Sequence, residues 1–342
     1  MNDGSSTKDR APVRRGWIKW VLLIIVVVVA LPLALLAIGF LYQTIASQSD
    51  GDRYPPPGEL VDIGGYRLHL HCTGERKADQ PLVVIEAGSG SSSPDWVLVQ
   101  PEIAEFARVC TYDRAGLGWS DPGPQPRSSQ QYASELHALL EAAGEEPPFL
   151  LVAHSLGAHT VRIYTDEHPE DVVGMVLVDA RLPSGDMPSN EMSTGQLALW
   201  EFLARCGFFR LMGKQAMQVQ APAIAAKIPD YPYPIVWSPI YFETNRLETM
   251  TVSESDKRAR ETGPFADLPL VVITSDTSGL FSQLPPDEME AAEERFRAGQ
   301  QDLADLSTNG QFLIAEGSGH NIPVENPEII VATVREMMRE YQ

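Results

Sequence analysis

From Glu59 onward, short apolar runs alternate with stretches of helical periodicity, and this alternation constrains the fold more than any other feature. The runs are Leu60–Ile63, Tyr66–His71, Leu82–Glu86, Arg108–Tyr112, Phe149–Ala153, Gly174–Asp179, Leu270–Thr274 and Gln311–Ala315. They have strand length, and the first two are joined by Gly64-Gly65, a hairpin signal. The others are separated by enough chain for crossover helices, which implies a mainly parallel sheet. In one such stretch Tyr132, Leu136, Leu139, Leu140 and Ala143 line one helix face behind Ser128, a candidate cap. The expectation is an α/β domain with an eight-stranded, mainly parallel, doubly wound sheet, built from residues 58–181 and 267–342. Residues 182–266 are rich in Leu, Phe, Met and Pro without strand alternation, and read as a helical cap insertion.

The first 50 residues are a separate unit. Trp20–Tyr42 is 23 residues without a charge. As a helix it would measure about 34 Å, enough to cross a hydrocarbon core of about 30 Å. Pro32 is tolerated in such a span, and Trp17, Trp20 and Tyr42 fall where interfacial aromatics belong. A cleaved signal peptide ending at Thr44-Ile45-Ala46 is the alternative, but its apolar region would be unusually long. Residues 1–19 hold Lys8, Arg10, Arg14, Arg15 and Lys19, whereas the first charge after the span is Asp50. The positive-inside rule then predicts a single-pass protein with residues 1–19 cytoplasmic, a transmembrane helix over 20–42, and the body extracytoplasmic. Residues 43–57, ending in Tyr54-Pro55-Pro56-Pro57, read as a polar, Pro-stiffened linker.

Charge narrows the partners. The whole chain carries −20, and residues 1–42 carry +3, which leaves −23 on the body. So acidic a body repels phosphate backbones, and no nucleic-acid partner is expected. No His/Cys/Asp/Glu cluster has metal spacing, so neither metal nor cofactor is expected. The glycines of Tyr112-Asp113-Arg114-Ala115-Gly116-Leu117-Gly118-Trp119-Ser120-Asp121 lack the third member of a dinucleotide loop. This segment reads as a structured loop near the site.

Three segments carry chemistry. Phe149-Leu150-Leu151-Val152-Ala153-His154-Ser155-Leu156-Gly157 runs from an apolar strand into a helix beginning near Gly157. Small residues flank the serine where strand and helix backbones converge, which would leave its oxygen exposed in a strained turn. A serine there could equally serve as a helix cap. The second segment, Glu316-Gly317-Ser318-Gly319-His320-Asn321, puts a histidine on a Gly-flanked loop after the last strand, before a helix that opens at Asn326-Pro327-Glu328. His69 and His71 alternate on one strand as candidate structural residues, and His137, His159 and His168 fall in helical or post-helical stretches. The third is Ala87-Gly88-Ser89-Gly90-Ser91-Ser92-Ser93, where glycine lets the backbone approach a ligand. The amides of Ser89 and Leu156 could there form an oxyanion hole, or the segment could be a plain Gly/Ser loop.

Together these segments resemble the α/β-hydrolase superfamily, in its capped branch of esterases, lipases, proline iminopeptidases, haloalkane dehalogenases and epoxide hydrolases. The resemblance spans about residues 58–340 and rests on Ala87-Gly88, the Tyr112–Ser120 stretch, Ala153-His154-Ser155-Leu156-Gly157, Val176-Leu177-Val178-Asp179-Ala180 and Gly317-Ser318-Gly319-His320. Departures are Ala153 for Gly, Glu86-Ala87 where many members have His-Gly, and no Asp at the usual offset after strand seven. The resemblance implies acyl transfer on a small ester-like substrate, or an amide, with Ser155 as nucleophile and His320 as general base. Serine at the elbow argues against dehalogenase and epoxide hydrolase chemistry, which use Asp there. A catalytically silent binding protein, or a peptidase, C–C hydrolase or perhydrolase, would share these residues.

Two further expectations follow from the resemblance. The second strand lies beside the fourth in this fold, so Cys72 and Cys110 should form a disulfide and leave Cys206 unpaired. The triad acid should be Asp179, which closes a buried apolar strand and needs a partner for its charge. Asp276 after strand seven is the alternative, although the family's usual offset falls near Ser278. Separately, the apolar insertion residues Leu203, Phe208, Phe209, Leu211 and Met212 are expected to pack inward on the sheet, with a lipid entry as the alternative.

Overall fold

The computed structural model describes residues 16–183, 192–276, 281 and 284–341. Lys8, Arg10, Arg14, Arg15 and Ser278 lie outside the described residues. One sheet organises the body. Its strands are β1 (Glu59–Asp62), β2 (Arg67–Thr73), β3 (Leu82–Glu86), β4 (Val109–Tyr112), β5 (Phe149–His154), β6 (Val172–Val178), β7 (Leu270–Ser275) and β8 (Gly310–Ala315). They lie in the order β1-β2-β4-β3-β5-β6-β7-β8. Pairing is antiparallel for β1·β2 and β2·β4 and parallel for every other neighbour. This is the α/β-hydrolase fold.

The helices are α1 (Gly16–Ser47), α2 (Asp50–Arg53), α3 (Gln100–Ala104), α4 (Ser129–Ala143), α5 (Gly157–Glu167), α6 (Thr194–Arg205), α7 (Phe208–Gln220), α8 (Pro222–Lys227), α9 (Tyr233–Val236), α10 (Pro239–Arg260), α11 (Pro286–Ala304), α12 (Ile322–Glu325) and α13 (Pro327–Met337). Every residue of β3, β4, β5 and β7 is buried, which is why these strands read as continuous apolar runs. Successive side chains feed opposite faces of the sheet. Leu82, Val84, Leu151 and Leu177 join α4, α5 and α11 through Leu136, Val161 and Phe296. Val83, Ile85, Val152 and Val176 join α3 and α13 through Ile103, Ile330 and Val334.

Local signals act as their chemistry dictates, with one exception. Ser128 caps α4 by accepting from the Gln131 amide, and Gly144 ends it in the left-handed conformation with φ +68°. Asn326, in contrast, makes no side-chain cap at α13, and Pro327 alone opens that helix. Residues Cys72 and Cys110 face each other across β2 and β4 and are joined by a disulfide. Cys206 is free.

The expected linker is largely structured. α1 continues through Ser47, and α2 follows at once. Arg210 on α7 bonds Gln43 and makes a two-pronged ion pair with Asp50 at 2.7 and 2.5 Å. An apolar helix of this length, Trp17–Ser47, is long enough to cross a membrane. Helices α6 to α10 occupy the insertion between β6 and β7, and its described residues contain no strand.

Candidate active site

Ser155 stands between the end of β5 and the start of α5 with φ +52°. This left-handed conformation is costly for a residue with a Cβ and must be held by its surroundings. The Ser155 amide donates to the Val178 carbonyl at 3.0 Å, and the Ser155 carbonyl accepts from the Arg181 amide at 3.0 Å. A Cβ on Gly157 would strike Ala87 and Glu86, and one on Gly88 would crowd His154 and Ser155. Both glycines are therefore required by the close approach of the β3 loop to the elbow.

The loop after β8 brings His320 to the serine, with Nε2 3.1 Å from Ser155 Oγ. On the other side of the ring Nδ1 lies 2.6 Å from Asp179 Oδ2. Asp179 follows β6, is fully buried, and takes φ +40°. Its second oxygen accepts from the Ser275 amide at 2.8 Å and the Thr274 hydroxyl at 3.2 Å. A buried carboxylate so surrounded by donors is held in one orientation. Asp276 is not brought to the ring. It is exposed, its amide donates to Ser318 O, and its carboxylate accepts from the Gly317 amide at 3.0 Å. It therefore braces the loop that carries His320.

Residues not singled out from the sequence complete the site. His154 Nε2 lies 2.8 Å from the His320 carbonyl oxygen. Burial, reinforced by neighbouring His320, pushes the His154 imidazole down to about 3, so it is neutral and donates that bond. Under the Ala87–Ser91 loop lies a buried charge network. Arg114 donates to Glu86 at 2.6 Å, to the Ala87 and Gly88 carbonyls at 2.6 and 2.5 Å, and to Glu248 of α10 at 3.1 Å. Glu248 in turn accepts from the Ser89 hydroxyl at 3.1 Å and the Gly90 amide at 2.9 Å. Burial raises the Glu86 carboxyl above its ordinary range, against the pull of Arg114. The Tyr112–Asp121 segment is a structured loop anchored on Asp113, which accepts from the Ser93 and Trp119 amides and pairs with His69 at 2.8 Å.

A cleft of about 390 Å³ opens over Ser155 and His320, with Gly88–Ser91 on one wall and Ile224, Tyr231, Trp237 and Tyr241 of the insertion opposite. Asp95 also borders it, its carboxyl raised by burial and bonded to Ser91 and Ser92. A larger cavity of about 840 Å³, bounded by Tyr54, His71, Trp119 and Ile228, contains none of the Ser155–His320–Asp179 residues. Elsewhere the fold gathers His137, His168 and Asp171. The two imidazoles stack with centroids 4.0 Å apart and planes within 3°. A ligated ion must lie in the plane of each ring, and parallel stacked rings share no such point. This group consequently has no metal-site geometry.

A serine in a tight strand-to-helix turn, a histidine after the last strand and an eight-stranded sheet of this order are the marks of one class of protein. The sequence profile of the alpha/beta hydrolase family matches residues 82–333, and the chain belongs to that family. An "AB hydrolase superfamily protein" of Gibberella zeae is 28% identical over 286 residues, covering 76% of this chain and 87% of that one. A "probable transporter efuK" of Hormonema carpetanum is 27% identical over 83% of this chain, which spans only 43% of that longer protein. Among solved structures, an esterase from Thermogutta terrifontis superposes with a TM-score of 0.58 at 20% identity, covering 82% of this chain and 97% of its own. At that identity the likeness concerns the fold alone.

Proposed function

We propose that this chain is a membrane-anchored serine hydrolase that cleaves a small ester-like substrate, or an amide, through an acyl-enzyme. The observation that carries the reading is the continuous relay Ser155 Oγ–His320–Asp179, with contacts of 3.1 and 2.6 Å. His320 Nε2 takes the Ser155 proton as Oγ attacks the carbonyl carbon. The amides of Ser89 and Leu156 receive the oxyanion, and each such donor is typically worth about 100- to 1,000-fold in turnover. His320 then returns the proton to the departing alcohol or amine, and water repeats the sequence to release the acid. Asp179 holds the Nδ1 proton and stabilises the imidazolium formed on the way. No metal or cofactor enters these steps.

Residues 182–266 act as a cap over the cleft, with 58–181 and 267–342 as the catalytic core. α1 is the anchor, its basic flank in the cytoplasm and the hydrolase body outside. A disulfide on β2 and β4 suits an oxidising compartment. The test is labelling of the full chain by a fluorophosphonate probe, followed by turnover of p-nitrophenyl esters of graded chain length. Wild type should be labelled and active. Ser155→Ala should lose both while keeping the wild-type melting temperature. Retained turnover in folded Ser155→Ala would sink the assignment.

A further inference from the structure

The apolar residues of α6 and α7 do not all turn inward. Leu211 is 68% exposed, Leu199 56%, Phe202 49%, Met212 48% and Phe208 39%. Leu199 and Phe202 are three apart on α6, and Phe208, Leu211 and Met212 share the i, i+3, i+4 spacing on α7. Each set therefore forms one helix face. Such a concentration of large apolar side chains in water calls for an occupant.

The position of α1 says which. Along its C-terminal part Leu36, Gly39, Gln43 and Ala46 are the covered positions, a single face at helical spacing, while nearly every other residue is exposed. That face rests on the junction of α6 and α7. A Cβ on Gly39 would strike the Cys206 carbonyl, and Gly207 lies against Gly39, Tyr42 and Gln43. The Arg210–Asp50 pair locks α7 to the segment just past α1. The apolar run of α1 ends at Tyr42, so Leu36 lies about 9 Å inside it at about 1.5 Å per residue. A body docked beside Leu36 and Gly39 is therefore level with the edge of the bilayer whenever α1 spans it. The depth matches the roughly 5–10 Å reached by helices that lie in the membrane interface.

We infer that the α6–α7 corner is a membrane-inserted surface, with Leu199, Phe202, Phe208, Leu211 and Met212 set in the lipid interface around α1. Lys214 on α7 is exposed and can reach headgroups beside this face, whereas Arg205, also exposed, is paired with Glu201 and Glu243. The occupant of the apolar face is the bilayer of the anchor itself.

The inference rests on α1 being a membrane helix, and the experiment separates the two. The full chain, carrying Cys206→Ser to remove the free thiol, is reconstituted into phosphatidylcholine vesicles. Single cysteines replace Leu211, Leu199, Val28 or Glu294, and each is labelled with an environment-sensitive NBD dye. Vesicles with and without doxyl-labelled lipid are compared. Val28, in the middle of α1, reports the anchor; Glu294 on α11 is the water-exposed control. Dyes at 211 and 199 should be blue-shifted and quenched several-fold more strongly than at 294. If 28 is quenched and 211 and 199 are quenched no more than 294, the inserted corner is wrong and the anchor stands. A blue shift at 211 and 199 without lipid quenching would show a second protein copy there and also overturn the inference. Failure of quenching at 28 would overturn both.

Discussion

At residue scale, the position of Asp179 depends on backbone geometry that few residues tolerate. Asp179 and Ser155 both take positive φ, at consecutive turns on the same edge of the sheet. The ends of β5 and β6 thereby aim both side chains at His320. An amide in place of the carboxylate would hold the ring in the wrong tautomer, so Asp179→Asn should lower kcat by about 10⁴-fold with little change in melting temperature. Asp276→Asn should stay near wild type in kcat, because its carboxylate touches a backbone amide of the loop and not the ring. The opposite ranking in steady-state kinetics would reassign the acid. The Arg114 network makes a different prediction. Arg114→Met leaves Glu86 and Glu248 buried without their cation and should destabilise by about 3–5 kcal/mol, read from the urea midpoint. It should also slow turnover, since two carbonyls of the Ala87–Ser91 loop lose their donor.

At the scale of elements, α5 and α10 are tied by buried polar contacts. His159 Nε2 lies 2.9 Å from Asp256 on α10, and Arg181 reaches the same carboxylate at 2.8 Å. Burial dominates the His159 imidazole and lowers it to about 4, despite the raising effect of Asp256. Its ordinary value is 6.5, so as pH falls the unfolded chain takes up the proton first. His159 therefore contributes stability above about pH 6.5 and loses it as pH falls toward about 4, at about 1.4 kcal/mol per pH unit. Melting temperature against pH should show this as a steeper acid limb in wild type than in His159→Asn. Equal slopes would mean that His159 is not buried neutral. The cystine between β2 and β4 works at the same scale, since it joins directly opposed residues of adjacent strands next to the hairpin.

For the whole molecule the prediction concerns sidedness. A protease added to intact cells, or to spheroplasts where an outer membrane intervenes, should release the body by cutting between α1 and the sheet, slowly because Arg210 ties that segment to α7. Release should therefore be enhanced by Arg210→Ala, which frees Asp50 and Gln43. Full protection of both proteins, with degradation only after permeabilisation, would reverse the proposed orientation.

All eight strands were legible as apolar runs, with ends within two residues of those observed. Burial on both faces leaves that mark in β3, β4, β5 and β7, whereas β1 and β8 are largely exposed and were read from their length and flanking turns. The serine elbow and the Gly-flanked histidine were legible for a similar reason: tight turns demand small residues wherever they occur. What joins distant segments left no such mark. Glu248 sits in a mostly polar helix, 158 positions from the Gly90 amide it receives, and nothing in its neighbours distinguishes it from a solvated glutamate. Asp179 and Asp276 both close strands, and only the path of the loop after β8 decides which carboxylate meets the imidazole. Of the five apolar residues read as packing inward, Phe208, Leu211 and Met212 face outward, whereas Leu203 and Phe209 are half-buried and Phe209 packs against Leu197, Ala204 and Phe242 within the insertion. An amphipathic helix has the same sequence whether its apolar side meets a protein core or lipid. Local periodicity and turn chemistry are written along the chain, whereas the partner of a side chain is fixed only when the folded chain sets the distances.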